Sequence, residues 1–193
     1  EKMMMIMKRN DNMKIFMISG KARSGKDTFG DALESVLVSR DYKVCRLSVG
    51  TYIKFYAQRY FGWDGREETK PRELLQMLGT EVIRKQIDPK FHVNRLIEDI
   101  KVLSNFFDVF IISDVREPLE IEEVKKNYDC VTTIKMIRPD FENELTSEQR
   151  KHYTEVAMDN YNDHDYEVIN DKDIAHLDLI ATRIIDEVME NES

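Results

Sequence analysis

The sequence predicts an α/β fold: a parallel sheet flanked by helices. Three observations carry the prediction. From Lys14 onward short apolar runs alternate with longer helical ones. Most of the short runs are almost continuously apolar, as strands covered on both faces must be. The chain has 193 residues, enough for one core and too few for two.

Taken in order, strands are expected at Ile15 to Ser19, Val44 to Leu47, Val109 to Ser113, Val131 to Ile137 and Tyr166 to Ile169. Helices are expected at Asp27 to Arg40, Tyr52 to Phe61, Pro71 to Lys85, Phe91 to Leu103, Leu119 to Asn127 and Ile174 to Val188. Pro71 suits a first turn, where its missing N–H is no loss. Leu177, Ile180, Ile184 and Val188 recur at spacings of three and four, the stripe of a docked terminal helix. Residues 1–12 are rich in methionine and show neither period, so they read as a flexible N-terminal extension or an upstream start. Met13 then opens a single domain over 13–193, with a helical part at about 50–104 and a charged, lid-like segment at about 139–162.

Lys plus Arg number 29 against 37 Asp plus Glu, a formal net charge of −8. That sign disfavours nucleic acid and anionic membranes as partners, because counterion release needs a cationic face. The apolar run Met3 to Met7 is too short for a signal core or a membrane span, so a cytoplasmic location is expected. Cys45 and Cys130 lie in apolar runs without metal-ligand spacing and read as buried structural thiols.

The strongest motif is Gly20-Lys21-Ala22-Arg23-Ser24-Gly25-Lys26-Asp27-Thr28, after a strand and before a helix, the setting a phosphate-binding P-loop requires. Gly20 and Gly25 let the loop wrap with its N–H groups inward, and the helix adds its positive end. Gly20, Arg23, Ser24, Gly25, Lys26, Asp27 and Thr28 are therefore candidates for a polyphosphate, with Lys26 over the terminal phosphates. Asp27 stands where the motif has Ser or Thr. A carboxylate is also a hard oxygen ligand, so Asp27 could hold Mg2+ directly or through water, with Thr28 alongside.

A second constellation follows the strand Val109 to Ser113: Asp114, Arg116 and Glu120. Polar residues at the C-terminal end of a parallel strand face the ligand crevice. Asp114 could assist the metal or a substrate hydroxyl, and Arg116 could grip a phosphate; alternatively Asp114 caps the next turn and Arg116 pairs with Glu120. In the helix from Pro71, the residues Arg72, Gln76 and Thr80 lie four apart and share a face opposite Leu74, Leu75, Leu78 and Val82. That polar stripe is either solvated or, since Arg grips phosphate and Gln can meet a base edge, a substrate surface. In the lid-like segment Arg138 is the first choice for neutralising a migrating phosphoryl group and Arg150 the second, while His152 suits a loop hydrogen bond as well as catalysis.

In this order the segments ISGKARSGKDT, RELLQMLGTE, DPKFHVNRL, FIISDVREPLEIEEV, IKMIRP, HYTEVAMDN and EVIND resemble the deoxynucleoside monophosphate kinase family of bacteriophage type. The resemblance spans most of the chain from Met13. It implies a three-layer P-loop kinase fold, the cofactors ATP and Mg2+, and transfer of the γ-phosphoryl to the 5′-phosphate of a nucleoside monophosphate. Gly25, Lys26, Asp27 and Thr28 would hold ATP and the metal. Lys26, Asp114, Arg116 and Arg138 would be catalytic, with Asp114 also toward the metal. Ser48, Lys54, Arg72, Gln76, Thr80 and Glu120 would serve the acceptor, and Lys21 stands beside Ala22 where relatives can carry Lys. The partners implied are small nucleotides, and a homodimer is among the assemblies of the family.

Two other readings stand beside it. Animal-type phosphomevalonate kinase shares a GK-containing loop and an SD-x-R segment, but LLQMLGTE looks more like the nucleotide enzyme. A regulatory P-loop protein would bind nucleotide without transferring a phosphoryl group. It needs one nucleotide site, whereas Arg23, Arg72, Arg116 and Arg138 suit two phosphorylated ligands held in line.

Overall fold

The structure is a computed structural model that describes residues 13–139 and 156–190. Five strands form one sheet: β1 (Lys14–Ser19), β2 (Val44–Leu47), β3 (Val109–Val115), β4 (Val131–Ile137) and β5 (Tyr166–Ile169). All neighbours are parallel, in the order β2-β3-β1-β4-β5. Each expected strand is present to within two residues.

The helices α1 (Lys26–Ser39) and α6 (Ile174–Glu190) cover one face of the sheet. Phe16, Ile18, Val109, Ile111 and Ile134 point into that side, against Phe29, Leu33, Leu37, Leu177 and Ile184. The helices α4 (Phe91–Leu103) and α5 (Pro118–Asn127) cover the other face. There Ile15, Met17, Phe110 and Ile112 meet Val93, Leu96, Ile97, Ile121 and Val124. The alternation along β1 and β3 thus feeds two cores, which is why those strands are apolar throughout.

Between β2 and α4 the chain forms α2 (Thr51–Phe61) and α3 (Arg72–Gln76), which continues as a π-helical stretch, Met77–Ile87. Its end is marked by Asp88 N–H donating to the Ile83 carbonyl at 2.9 Å. The expected single α-helix from Pro71 is thus a short α-turn followed by wider winding. Wider winding alone keeps residues four apart on nearly the same side; what separates them is what packs over each, since the stretch Met77–Ile87 lies against α4. Thr80 is buried at 4% exposure, while Arg72 is exposed and Gln76 is half-buried. Arg72, Gln76 and Thr80 do not form one polar stripe.

β1 lies at the centre, and its connection runs toward β2 while that of β3 runs toward β4. The crevice beyond the C-terminal ends of β1 and β3 is therefore the switch point where ligands bind in open α/β sheets. β3 carries an irregularity at that end: Met17 pairs with Ile112, but Ser19 pairs with Val115. Three steps on β3 against two on β1 leave one residue extra at Ser113-Asp114, as in a β-bulge. Ser113 follows Ile111 on the α1 side, and Val115 rejoins the core under α4 and α5.

Cys45 pairs with Phe110, Phe110 with Ile15, and Ile15 with Val131, the neighbour of Cys130. Three strand spacings are about 14 Å, twice the reach of a disulfide. Both thiols are free and half-buried.

Candidate active site

The P-loop lies between Ser19 and α1, and its shape comes from backbone conformations that few residues tolerate. Gly25 caps α1 at φ 97°, ψ 18°, in the left-handed region, and a Cβ there would come within 2.4 Å of Asn170 Nδ2. Only glycine meets both conditions. Arg23 also has positive φ, 60°, which for a residue with a side chain costs energy and marks a tightly held turn. The turn is held from both flanks. Asn170 Nδ2, just past β5, donates to the Ser24 carbonyl at 3.0 Å, and Arg138 Nη1, just past β4, donates to the Arg23 carbonyl at 3.3 Å.

Lys26 folds inward. Its Nζ donates to the carbonyls of Gly20 and Lys21, each at 2.7 Å, and the residue is 8% exposed. Ser24 is buried at 4%, and its Oγ has no hydrogen-bond partner among the described residues. A buried hydroxyl left unpaired costs about 1–3 kcal/mol, and a phosphate oxygen in the loop would satisfy it. Asp27 and Thr28 are exposed at the start of α1.

The residues after the undescribed stretch return to this loop. Ser19 Oγ and His164 Nε2 are 2.7 Å apart, and His164 stands edge-on to Tyr161. Burial holds the His164 imidazole below its usual range. Lys21 pairs with Asp159 at 3.2 Å at the surface, so in this structure its ammonium is turned toward that segment. Arg150 and His152 lie outside the described residues, as does most of the expected lid-like segment.

At the end of β3 the expected residues come together with clear divisions of labour. Asp114 Oδ1 accepts from Val49 N–H at 2.8 Å, and Oδ2 accepts from Ser48 Oγ at 2.5 Å and Gly50 N–H at 3.0 Å. Lys54 Nζ reaches the same Ser48 hydroxyl at 3.4 Å. Asp114 therefore caps the turn between β2 and α2, not the turn that follows it in sequence. The polar partner of Asp27 is instead Ser113, whose Oγ donates to Asp27 Oδ1 at 2.7 Å.

Glu120 is 3% exposed and is occupied by the protein itself. Its Oε2 accepts from Arg116 N–H at 2.8 Å, and its Oε1 accepts from Arg84 Nη2 at 2.9 Å. Glu117 completes a reciprocal cap of α5 and meets Arg84 Nε at 2.7 Å. The position expected to touch the acceptor is thus a scaffold that fixes the Arg116 backbone; Glu120 pairs with Arg84, not with the Arg116 side chain. One guanidinium between two buried carboxylates leaves an excess negative charge out of water. Burial accordingly pushes Glu117 up and Glu120 up to about 7, against the pull of Arg84. His92, buried beside Arg84, is pushed down to about 4, first by burial and then by that cation.

The family model for deoxynucleotide monophosphate kinase matches residues 51–180, two thirds of the chain. The chain belongs to the deoxynucleotide monophosphate kinase family. The match begins beyond the P-loop and takes in α2, α3, the β3 end and the Arg138 region. Among solved structures, this kinase is similar to the Mycobacterium tuberculosis APS kinase in complex with AMPPNP and APS, at TM-score 0.54 and 14% identity over 93% of this chain and 98% of that one. It is also similar to a sugar kinase from Janibacter sp., at TM-score 0.56 and 9% identity over 92% and 97% of the two chains. At such identities the likeness establishes the fold, an α/β P-loop kinase fold.

ATP and Mg2+ fit the residues present in this family member: an inward lysine, a buried unpaired hydroxyl, a helix N-terminus and one exposed carboxylate backed by a hydroxyl. Among the described residues no three His, Cys, Asp or Glu side chains form a metal cluster. Mg2+ at kinase sites is typically held by one or two carboxylates together with phosphates and water. Four contributors escaped the sequence reading: Arg84, Asn170, Ser113 and Arg46, whose Nη2 donates to Ser113 Oγ at 3.2 Å. Arg46 was visible as a lone charge within an apolar strand, and Ser113 as the residue beside Asp114. Arg84 left no signal, because its two carboxylate partners are more than thirty residues away.

Proposed function

We propose that this kinase transfers the γ-phosphoryl group of ATP to the 5′-phosphate of a deoxynucleoside monophosphate. An acceptor phosphate oxygen forms the new bond to the γ-phosphorus as the bond to the β,γ-bridging oxygen breaks, and ADP leaves with that electron pair. The observation that carries the reading is the meeting of two phosphate-suited sets at one sheet edge: the P-loop with Lys26 after β1, and Ser48, Lys54 and Arg116 around the end of β3. The family match over residues 51–180 supports the second set as the acceptor side.

In this reading the loop N–H groups and Ser24 bind the donor phosphates, and Lys26 neutralises charge as the phosphoryl group moves. Asp27, with Thr28 beside it, would hold Mg2+, which when bound would supply neutralisation of the phosphate charge. Arg23 and Arg138, joined across the loop, face the donor end. Arg116, its backbone fixed by Glu120, and Lys54 receive the acceptor phosphate, with Arg72 and Gln76 approaching from α3. Glu120 and Thr80 support the site from within the fold. The enzyme acts on free nucleotides in the cytoplasm, and a homodimer is the assembly proposed for it.

The test is ADP formation from MgATP with a panel of ribo- and deoxynucleoside monophosphates, phosphomevalonate included, for the wild type and Lys26→Ala. Turnover with one or more deoxynucleoside monophosphates is expected, falling about 10²–10³-fold in the variant, the usual loss for one charge-stabilising donor. Turnover with phosphomevalonate alone, or tight ATP binding without any acceptor-dependent ADP, overturns the proposal.

A further inference from the structure

The Mg2+ site of P-loop enzymes usually pairs a Ser or Thr at the start of the helix with an Asp at the end of a neighbouring strand. Here the helix supplies Asp27 and the strand end supplies Ser113, in direct contact. We propose that the hydroxyl and the carboxylate of that pair have exchanged places, and that Ser113, oriented by Arg46, is the positioning residue that aims Asp27 at the metal.

The hydrogen-bond directions leave no ambiguity. A guanidinium has donors only, so Arg46 Nη2 donates to Ser113 Oγ at 3.2 Å. The single hydroxyl proton of Ser113 then goes to Asp27 Oδ1 at 2.7 Å, which requires an accepting carboxylate. Ser113, the middle of the relay, is 8% exposed, so its hydroxyl is shielded from competing water. One oxygen of Asp27 is pinned to the strand end, and the rotation of its carboxyl group is thereby set for the other oxygen. Near-octahedral Mg2+ is sensitive to that orientation, and partners behind a metal ligand tune affinity through it.

Three features hold the relay in place. Arg46 is anchored on its other side by Asp31 Oδ1 at 2.8 Å and Glu34 Oε2 at 3.4 Å, both on α1. The bulge at the end of β3 presents Ser113 to α1 while Asp114 turns to the Ser48–Gly50 turn. Gly30, inside α1, lies directly under the Arg46 guanidinium: a Cβ there would be 2.6 Å from Nη2 and 2.8 Å from Cζ. A glycine within a helix costs about 0.5–1 kcal/mol relative to alanine, and the seat for Arg46 accounts for its presence.

The inference rests on the reading that the P-loop binds a metal–nucleotide complex, and the test separates the two. Mn2+ serves as a paramagnetic probe, titrated by electron spin resonance into the full chain with the non-hydrolysable ATP analogue AMPPNP. AMPPNP affinity in EDTA and the melting temperature without nucleotide are measured beside it. Ser113→Ala should weaken Mn2+ about 10–100-fold, the usual effect of removing a partner behind a metal ligand, with metal-free AMPPNP affinity unchanged. Ser113→Thr, which keeps the hydroxyl, should restore it. Gly30→Ala should also weaken Mn2+, although alanine is the better helix former, and it carries the test should Ser113→Ala fail to fold. Wild-type Mn2+ affinity in Ser113→Ala, or in Gly30→Ala if the former does not fold, overturns the relay and leaves the nucleotide site standing. A wild type that binds no AMPPNP with or without Mn2+ overturns both.

Discussion

The ends of β1 and β3 lie side by side and are built from opposite materials. The turn after β1 is made of backbone: Gly25 and Arg23 at positive φ, and carbonyls tied by Lys26, Asn170 and Arg138. The segment after β3 is made of carboxylates: Asp114, Glu117 and Glu120 spend their oxygens on N–H groups, Ser48 and a single buried guanidinium. A turn made of peptide dipoles around one inward lysine concentrates positive potential, and in the proposed reading that suits a polyphosphate arriving with its metal. An acidic scaffold is useful for a different reason. It fixes the backbone of Arg116 and the turn that precedes Lys54, the two cations that the proposed function assigns to the acceptor phosphate.

The largest expected effect comes from removing the cation on which that scaffold depends. Arg84→Met takes away the guanidinium shared by Glu117 and Glu120, which are 4% and 3% exposed. Breaking a buried pair on one side costs about 3–5 kcal/mol, because the remaining charge is stranded. Urea unfolding should show a loss of that size, with AMPPNP affinity of the folded fraction nearly unchanged. A loss below about 1 kcal/mol would mean that the two regions do not differ as described.

A smaller effect sharpens the same contrast through pH. Burial raises Glu120 from an ordinary 4.5 to about 7, so the native state binds a proton that the unfolded chain has released. Stability from this group is therefore highest below about 4.5 and declines as pH rises to about 7. The gap corresponds to about 3 kcal/mol. His92, held near 4 against an ordinary 6.5, acts in the opposite sense, withdrawing stability as pH falls through that interval. The two trends offset each other in the wild type. His92 is common to both proteins, so the stability of the wild type relative to Glu120→Gln isolates Glu120: it should fall as pH is raised from 5 to about 7 and then level off. A difference that stays flat with pH would show Arg84 strong enough to keep Glu120 ionised throughout.

The same contrast explains what could be read from the sequence. The P-loop was legible because its chemistry is local: two glycines and a lysine at fixed spacing, between a strand and a helix, specify a conformation by themselves. The central strands β1 and β3 were legible because burial on both faces leaves them almost continuously apolar. The β3 end was legible as a location, from Asp114, Arg116 and Glu120, but the partners of those carboxylates were not. Arg84 and Ser48 are brought in by packing across the sheet end, and no spacing records that. Stripe reasoning on Arg72, Gln76 and Thr80 failed for a different reason. It took residues four apart to share one environment, and Thr80 is buried where Met77–Ile87 packs against α4 while Arg72 stays exposed.

Arg72 gives the smallest stability effect and the closest test of how the acceptor side divides scaffold from ligand. Its side chain is 45% exposed and meets Glu67 at 3.4 Å, itself 66% exposed. An exposed pair of that kind contributes about 0–1 kcal/mol and is screened by salt, so Arg72→Ala should leave the unfolding midpoint almost where it is. A weak surface tie is also easily exchanged for a phosphate, and a charged hydrogen bond to substrate is worth about 1.5–3 kcal/mol. The KM for the monophosphate should therefore rise about tenfold or more while ATP affinity is unaffected. An unchanged KM would confine the acceptor cations to Arg116 and Lys54, close to the carboxylate scaffold, and would remove α3 from the binding surface.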